Sequence, residues 1–354
     1  MAKLDGGSCD DILAQFHKSY GDKVGGFGYK DVQTERVPTG FFAFDLASGG
    51  GLPRGRTTIV YGPESSGKTN LVLACIRNHQ QLWPDLVCVI VDIENSFDAE
   101  WARSLGVDVD KLLVLKPDYA EQVVDMVESM LMAEDIGLVA IDSLAAMVTT
   151  QEVSSSAEKA IVGGASLAVG KLVRKTTLAL SEAGKQGRSP TLIYVNQIRF
   201  KVGVMFGDPE TMPGGMAPKY QAALQVRLYG KNITDNKIST TVPIGKQTKV
   251  VIKKWKVPIV GTHCEYIMVT YPHDGLQIGQ TADWGLVSGY LKESGLLSKT
   301  GSSGWELFDK KYKTLSACEE KFISDPKFAG LVKQVVIDMA FGKSADTGPV
   351  GMSV

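Results

Sequence analysis

The sequence predicts an α/β fold in which a mostly parallel central sheet is flanked by helices on both faces. Three observations carry this expectation. From Val37 onward, the apolar runs at 57–61, 87–91, 112–115, 137–141 and 191–195 are continuous, as strands covered on both sides require. Helical stretches separate several of these runs, giving the strand, turn and helix succession of a parallel sheet. Finally, Gly62-Pro63-Glu64-Ser65-Ser66-Gly67-Lys68-Thr69 has the spacing G-x-x-x-x-G-K-T, between the β-branched Thr57–Val60 and the helix-forming Asn70–Ile76.

Ahead of that core, residues 9–20 put Ile12, Leu13, Phe16 and Tyr20 on one helical face, with Asp10 and Asp11 suited to its N-terminal end. The run Gly25-Gly26-Phe27-Gly28 ends it. One short helix cannot bury its own apolar stripe, so it must pack on the rest of the chain or on a neighbouring subunit. From Gln225 to Tyr271 the pattern looks twisted and antiparallel. Beyond about residue 275 the composition turns helical and charged, the mark of a small C-terminal lobe, and the last dozen residues read as a frayed tail. Three units follow: 1–33, an N-terminal helical segment and linker; 34–272, the core; and 273–354, an α+β lobe.

The glycines of the central motif let successive N–H groups converge on phosphate oxygens, and the helix that follows adds the positive end of its dipole. Lys68 would reach the terminal phosphates, and the Thr69 hydroxyl would hold a magnesium ion bridging them. The strand ending in Asp142 supplies the matching acid, which is costly at a buried tip unless a cation or water meets it.

Nucleotide hydrolysis also needs a carboxylate to deprotonate a water, and Glu94, just past the second strand, is the candidate; a solvated capping acid is the alternative. Trp101 reads either as a core residue or as a face stacked on adenine, with Asp98 accepting from the base amine. After the strand 192–195 comes a long segment, residues 196–215, that is at once Gly-rich, basic and apolar. Such a loop could order around a partner, and Gln197 at its root could sense the terminal phosphate.

Composition sets bounds. A length of 354 residues suggests roughly two to three domains. The formal net charge of −1 gives no sign of a polycationic nucleic-acid binder, so any DNA contact must come from a local patch. Five cysteines, odd in number and scattered, read as free thiols of a reducing cytosol. His263, Cys264 and His273 fit no zinc spacing. No signal-peptide core or bilayer-length apolar run is present, so neither export nor membrane insertion is expected.

With these motifs in hand, the chain resembles the RecA-type homologous recombinases of bacteria and phages, which coat single-stranded DNA and exchange it with a homologous duplex. The segment Gly62–Thr69 matches that family's phosphate loop. Asn196-Gln197-Ile198-Arg199, Gly203–Gly207 and Pro209-Glu210-Thr211 resemble its second DNA-binding loop. The likeness runs from about residue 36 to 270. It implies a P-loop NTPase core of the RecA type, ATP and Mg2+ as cofactors, and a helical homo-oligomer on single-stranded DNA with DNA-stimulated ATP hydrolysis, homologous pairing and strand exchange. Single-strand-binding and mediator proteins are implied partners, and the cytosol of a bacterium or phage-infected host the implied location.

The resemblance assigns roles residue by residue. Glu94 falls at the catalytic glutamate, Trp101 where an aromatic ring stacks on adenine beside Asp98, and Gln197 at the phosphate-sensing glutamine. Lys254 and Lys256 resemble paired lysines that cap a neighbouring subunit's ATP, although by sequence alone they read as a solvated strand edge. DNA contacts fall to Arg199, Phe200, Lys201, Val202, Gly203, Val204, Gly214, Gly215 and Met216. Lys171 and Arg174 join them from the stretch replacing the family's first DNA loop. Charge and glycine N–H groups would meet phosphates there, while Phe200, Val202, Val204 and Met205 would wedge between bases, unless the apolar side chains simply collapse together. The chain departs from the family in a longer stretch between Asp142 and Gln197, in a small insertion near 219–224, and in lacking an acidic tail. A ring helicase on the same core would carry a collar domain and an arginine finger, and neither is evident.

Overall fold

A computed structural model describes residues 8–21, 34–154, 163–200 and 210–341. Eight strands form one sheet: β1 (Thr57–Gly62), β2 (Val87–Asp92), β3 (Leu112–Leu115), β4 (Ile136–Asp142), β5 (Thr191–Gln197), β6 (Leu224–Ile233), β7 (Gly245–Trp255) and β8 (His263–Val269). Their order is β8-β7-β6-β1-β5-β4-β2-β3. The strands from β6 to β3 are all parallel, and β7 and β8 extend the sheet antiparallel at one edge. The five expected strands are thus present, each within two residues of its sequence bounds.

Both faces of the parallel part are covered. Along β4, Leu138 and Ala140 enter one core while Val139 and Ile141 enter the other, which is why the strand has no polar alternation. Each large apolar side chain buried this way contributes roughly 1.5–3 kcal/mol.

The helices in order are α1 (Cys9–Tyr20), α2 (Phe42–Ser48), α3 (Lys68–Leu82), α4 (Ala99–Ser104), α5 (Ala120–Met132) and α6 (Gly164–Lys185). Leu71, Val72 and Ile76 of α3 fill the first core; Val123 and Val127 of α5, with Leu172 and Val173 of α6, fill the second. A short α7 (Ala217–Gln221) precedes β6. Helix α1 is capped by Ser8, whose hydroxyl accepts from the Asp11 N–H while the Asp11 carboxylate reaches back to the Ser8 N–H. Its Ile12, Leu13 and Phe16 belong to none of the three cores.

The C-terminal lobe comprises α8 (Trp284–Glu293), an antiparallel sheet of β9 (Leu297–Thr300), β10 (Gly304–Leu307) and β11 (Lys310–Tyr312), then α9 (Leu315–Ser324) and α10 (Pro326–Ala340). Its core gathers Trp284, Val287, Leu291, Phe322 and Val332 and also takes Phe42 and Leu46 from α2. Phe41, just before α2, and Phe44 face the main core instead. Every residue of α2 is buried, so this helix is shared between the two units. Among the described residues no helix is long and apolar enough to cross a membrane, and no three or more His, Cys, Asp or Glu side chains gather as a metal site would need.

Candidate functional site

The motif Gly62–Thr69 leaves the carboxyl end of β1, between β5 and β6, where an open parallel sheet places its ligands. Two of its residues are left-handed, Ser65 at φ 56 and Gly67 at φ 92, and Gly67 is the N-cap of α3. Glycine is required next door as well: a Cβ on Gly230 of β6 would lie 2.7 Å from the Ser66 Cα, so the neighbouring strand passes hard against the loop.

The Lys68 ammonium lies over the loop and donates to the Pro63 carbonyl at 2.7 Å. Burial lowers its pKa, while Asp142, Glu94 and Glu64 pull it back up. The Thr69 hydroxyl donates to Asp142 Oδ2 at 2.8 Å, across 73 residues of sequence. Burial pushes Asp142 up to about 6, with Glu94 and Asp92 adding repulsion against the relief offered by Thr69 and Lys68. A buried carboxylate and a hydroxyl side by side are hard oxygen donors short of cation, which is what magnesium takes.

Glu94 stands in the turn after β2. Asp92, buried, shapes that turn by accepting from the Ser96 and Phe97 N–H groups at 3.0 and 3.1 Å. Glu94 Oε1 accepts from Gln197 Nε2 at 2.9 Å and also receives the Ser143 hydroxyl. The three residues come from the ends of β2, β4 and β5, so the parallel order is what brings them together. The Asp142–Ser143 peptide is cis.

Asp98 caps α4, its Oδ1 accepting from the Glu100 and Trp101 N–H groups. Trp101 is half-buried, packs against the first core and donates from Nε1 to Asn70 Oδ1 at 3.0 Å. It therefore belongs partly to the core and still sits beside the first turn of α3.

Lys254 and Lys256 do not join the phosphate loop of their own chain. Their ammonium groups donate to backbone carbonyls at the end of α7: Lys254 to Lys219 and Tyr220 at 2.8 and 2.6 Å, Lys256 to Tyr220 at 3.2 Å. The loop instead meets Lys246, near the other end of β7, eight residues and roughly 25 Å of strand away.

The segment after Gln197 is closed at its base. Arg199 and Phe200 pair with Thr211 and Glu210, Asn196 Nδ2 donates to the Pro213 carbonyl at 2.9 Å, and the buried Arg227 pairs with Glu210. Arg199 is exposed. Lys201, Val202, Gly203, Val204 and Met205 lie outside the described residues, as do 155–162 of the stretch before α6. Gly214 at φ 86 is pressed against Val169 of α6, whereas Gly215 at φ 74 faces open space. Met216 is exposed, and Lys171 and Arg174 share the exposed face of α6 with Leu167 and Leu178.

Sequence reasoning missed Ser143, Asp92, Asn70 and Lys246. Ser143 had a signal, being a hydroxyl directly after the acid at a buried strand tip. Lys246 had none, since its position depends on the pairing of β6 with β7.

A family model described as the RecA N-terminal domain matches residues 8–271. A relative named Protein RecA from Salinispora arenicola is 39% identical over 289 residues, 81% of this chain and 80% of the relative. Protein RecA of Mycobacterium ulcerans is 37% identical over 288 residues, 80% of each chain. That of Ruminococcus albus is 35% identical over 286 residues, 80% of this chain and 68% of the relative. With the Gly62–Thr69 loop, the Thr69–Asp142 pair and the Glu94–Gln197 contact all inside the matched span, the chain belongs to the RecA family of recombinases.

Proposed function

We propose that this protein is an ATP-dependent DNA recombinase that forms helical filaments on single-stranded DNA and catalyses homologous pairing and strand exchange, with DNA-stimulated ATP hydrolysis. The observation that carries this is the hydrogen bond from Gln197 Nε2 to Glu94 Oε1. It joins the root of the candidate DNA segment directly to the candidate general base.

The N–H groups of 62–69 would cradle the phosphates, and Lys68 would exchange the Pro63 carbonyl for the terminal phosphate. Thr69 and Asp142 would hold Mg2+, which when bound would supply positive charge to offset that of the phosphates. Glu94 takes the proton of the attacking water. Trp101 and Asp98 lie where an adenine would meet the start of α3.

Lys254 and Lys256 reach the nucleotide of the adjoining protomer, and α1 covers its apolar face on that neighbour. A ligand bound between protomers stabilises the assembly by mass action, so ATP favours the filament. Because Gln197 belongs to both the nucleotide site and the DNA segment, ATP and DNA raise each other's affinity by the same factor. Arg199, Lys171 and Arg174 meet DNA phosphates, and base pairing reads the sequence. The protein works in the cytosol beside single-strand-binding and mediator proteins.

ATP hydrolysis measured with and without single-stranded DNA over a salt series tests this. Stimulation should be large at low salt and fall steeply as salt rises, as phosphate contacts demand. A protein that stays monomeric and hydrolyses ATP at the same rate with and without DNA would overturn the proposal.

A further inference from the structure

Lys246 opens β7 and has no place among the residues that the sequence singled out. The pairing of β6 with β7 sets Gly230 opposite Thr248 and Asn232 opposite Lys246. Thr248, Val250 and Ile252 are buried, and Val250 and Ile252 belong to the core beneath α3. The period of two along a strand therefore puts Lys246 on that same face, at the sheet end beside the start of α3.

There its Nζ donates to the Ser65 carbonyl at 2.8 Å, and a Cβ on Gly67 would stand 3.6 Å from its Cδ. The head of Lys246 holds one left-handed residue of the phosphate loop, and its stem lies along the other. Gly230 makes room for this, since a Cβ there would come within 2.8 Å of the same Ser65 carbonyl oxygen. Among the described residues no carboxylate forms an ion pair with Lys246. Its charge adds to the positive potential of the loop.

A phosphate loop binds anions by aiming its N–H groups inward, so some of its carbonyls must be turned away and held there. A left-handed serine costs more backbone energy than a glycine would, and it persists only where its surroundings fix it. We propose that Lys246 is a positioning residue for nucleotide binding: it clamps the Ser65 carbonyl toward β6 and β7 and so sets the loop before phosphates arrive. This rests on the assignment of the loop to ATP. Lys246 touches the loop and not the reacting atoms, so its effect falls on affinity, not on the chemical step.

The test compares Lys246→Met and Lys246→Arg with the native full-length chain. ADP and Mg-ATP affinities are measured by calorimetry, steady-state kcat and KM in the presence of single-stranded DNA, and hydrogen exchange of amides 64–68 without nucleotide. Lys246→Met should raise Kd and KM about tenfold, the loss of roughly one hydrogen bond with a charged donor, and leave kcat within about twofold. It should also speed exchange at 64–68, and Lys246→Arg should restore most of both effects. Should methionine disturb the strand end, Lys246→Gln makes the same comparison with a polar side chain of similar length.

Native Kd and native exchange in the methionine variant would overturn the proposal, as would a fall in kcat with KM unchanged. If the native protein itself bound no nucleotide, the ATP assignment would fail, and the exchange comparison would still decide whether Lys246 holds the loop.

Discussion

Glu94→Gln separates chemistry from geometry at this site. Glu94 Oε1 is the acceptor for both Gln197 and Ser143, and the amide oxygen of glutamine can accept from the same two donors, more weakly than a carboxylate, so both contacts persist in the variant. What disappears is one negative charge and the ability to take a proton. A positioned general base contributes about 10²- to 10⁴-fold, roughly 3–5 kcal/mol of barrier. Glu94 also acts electrostatically on Lys68 and Asp142, and removing its charge makes the cradle a better host for an anion. Turnover of Glu94→Gln, followed by phosphate release at saturating ATP and single-stranded DNA, should therefore fall at least a hundredfold. ATP affinity should be unchanged or tighter, and ATP-dependent DNA binding by fluorescence anisotropy should persist. A kcat within about threefold of native would refute Glu94 as the base. A tenfold loss of ATP affinity would make it a brace for the loop and nothing more.

Replacing Lys254 and Lys256 together with alanine should leave ATP binding to dilute protomers intact and abolish DNA-stimulated turnover, because both ammonium groups sit far from their own phosphate loop. If the double variant loses nucleotide binding as a monomer, the cross-protomer role is wrong. Asn196→Ala removes the tie to Pro213 at the base of the candidate DNA segment and should weaken DNA binding several-fold while sparing ATP affinity, read by anisotropy and calorimetry. Asp45 accepts three hydrogen bonds from Thr39 and Gly40, yet burial raises it to about 6 from 3.8. The folded chain takes up that proton near pH 6 and the unfolded chain near 3.8, so the penalty is absent below about pH 4 and complete above pH 6. Asp45→Asn should thus gain stability relative to native by roughly 3 kcal/mol between pH 4 and 7. Denaturant midpoints at the two pH values check this, and a pH-independent difference would contradict it.

Much of the site was legible because its signals are local. The strands of the parallel core announce themselves as continuous apolar runs, and the acid that meets Thr69 lies at the tip of one of them. Glu94 lies two residues past the end of β2 and Gln197 ends β5, so a parallel sheet brings both to one edge. The edge strands were harder. In β7 the buried Thr248, Val250 and Ile252 alternate with Lys249, Val251 and Lys253, and only the pairing with β6 and β8 says which face is which. Trp101 stayed ambiguous in sequence because a half-buried ring serves both readings. Helix α2 went unread because seven buried residues, an aspartate and a serine among them, follow no amphipathic period.

That buried helix also bears on how the protein can be cut. A fragment ended at residue 272 would keep the phosphate loop and the candidate DNA segment but strip Phe42 and Leu46 of their cover. Two large apolar side chains one helical turn apart would then face water, beside the space vacated by Phe341 against Gly49. An isolated catalytic fragment is accordingly expected to be sticky and poorly soluble. Polar replacements at Phe42 and Leu46, made together with the truncation, are the remedy the packing suggests.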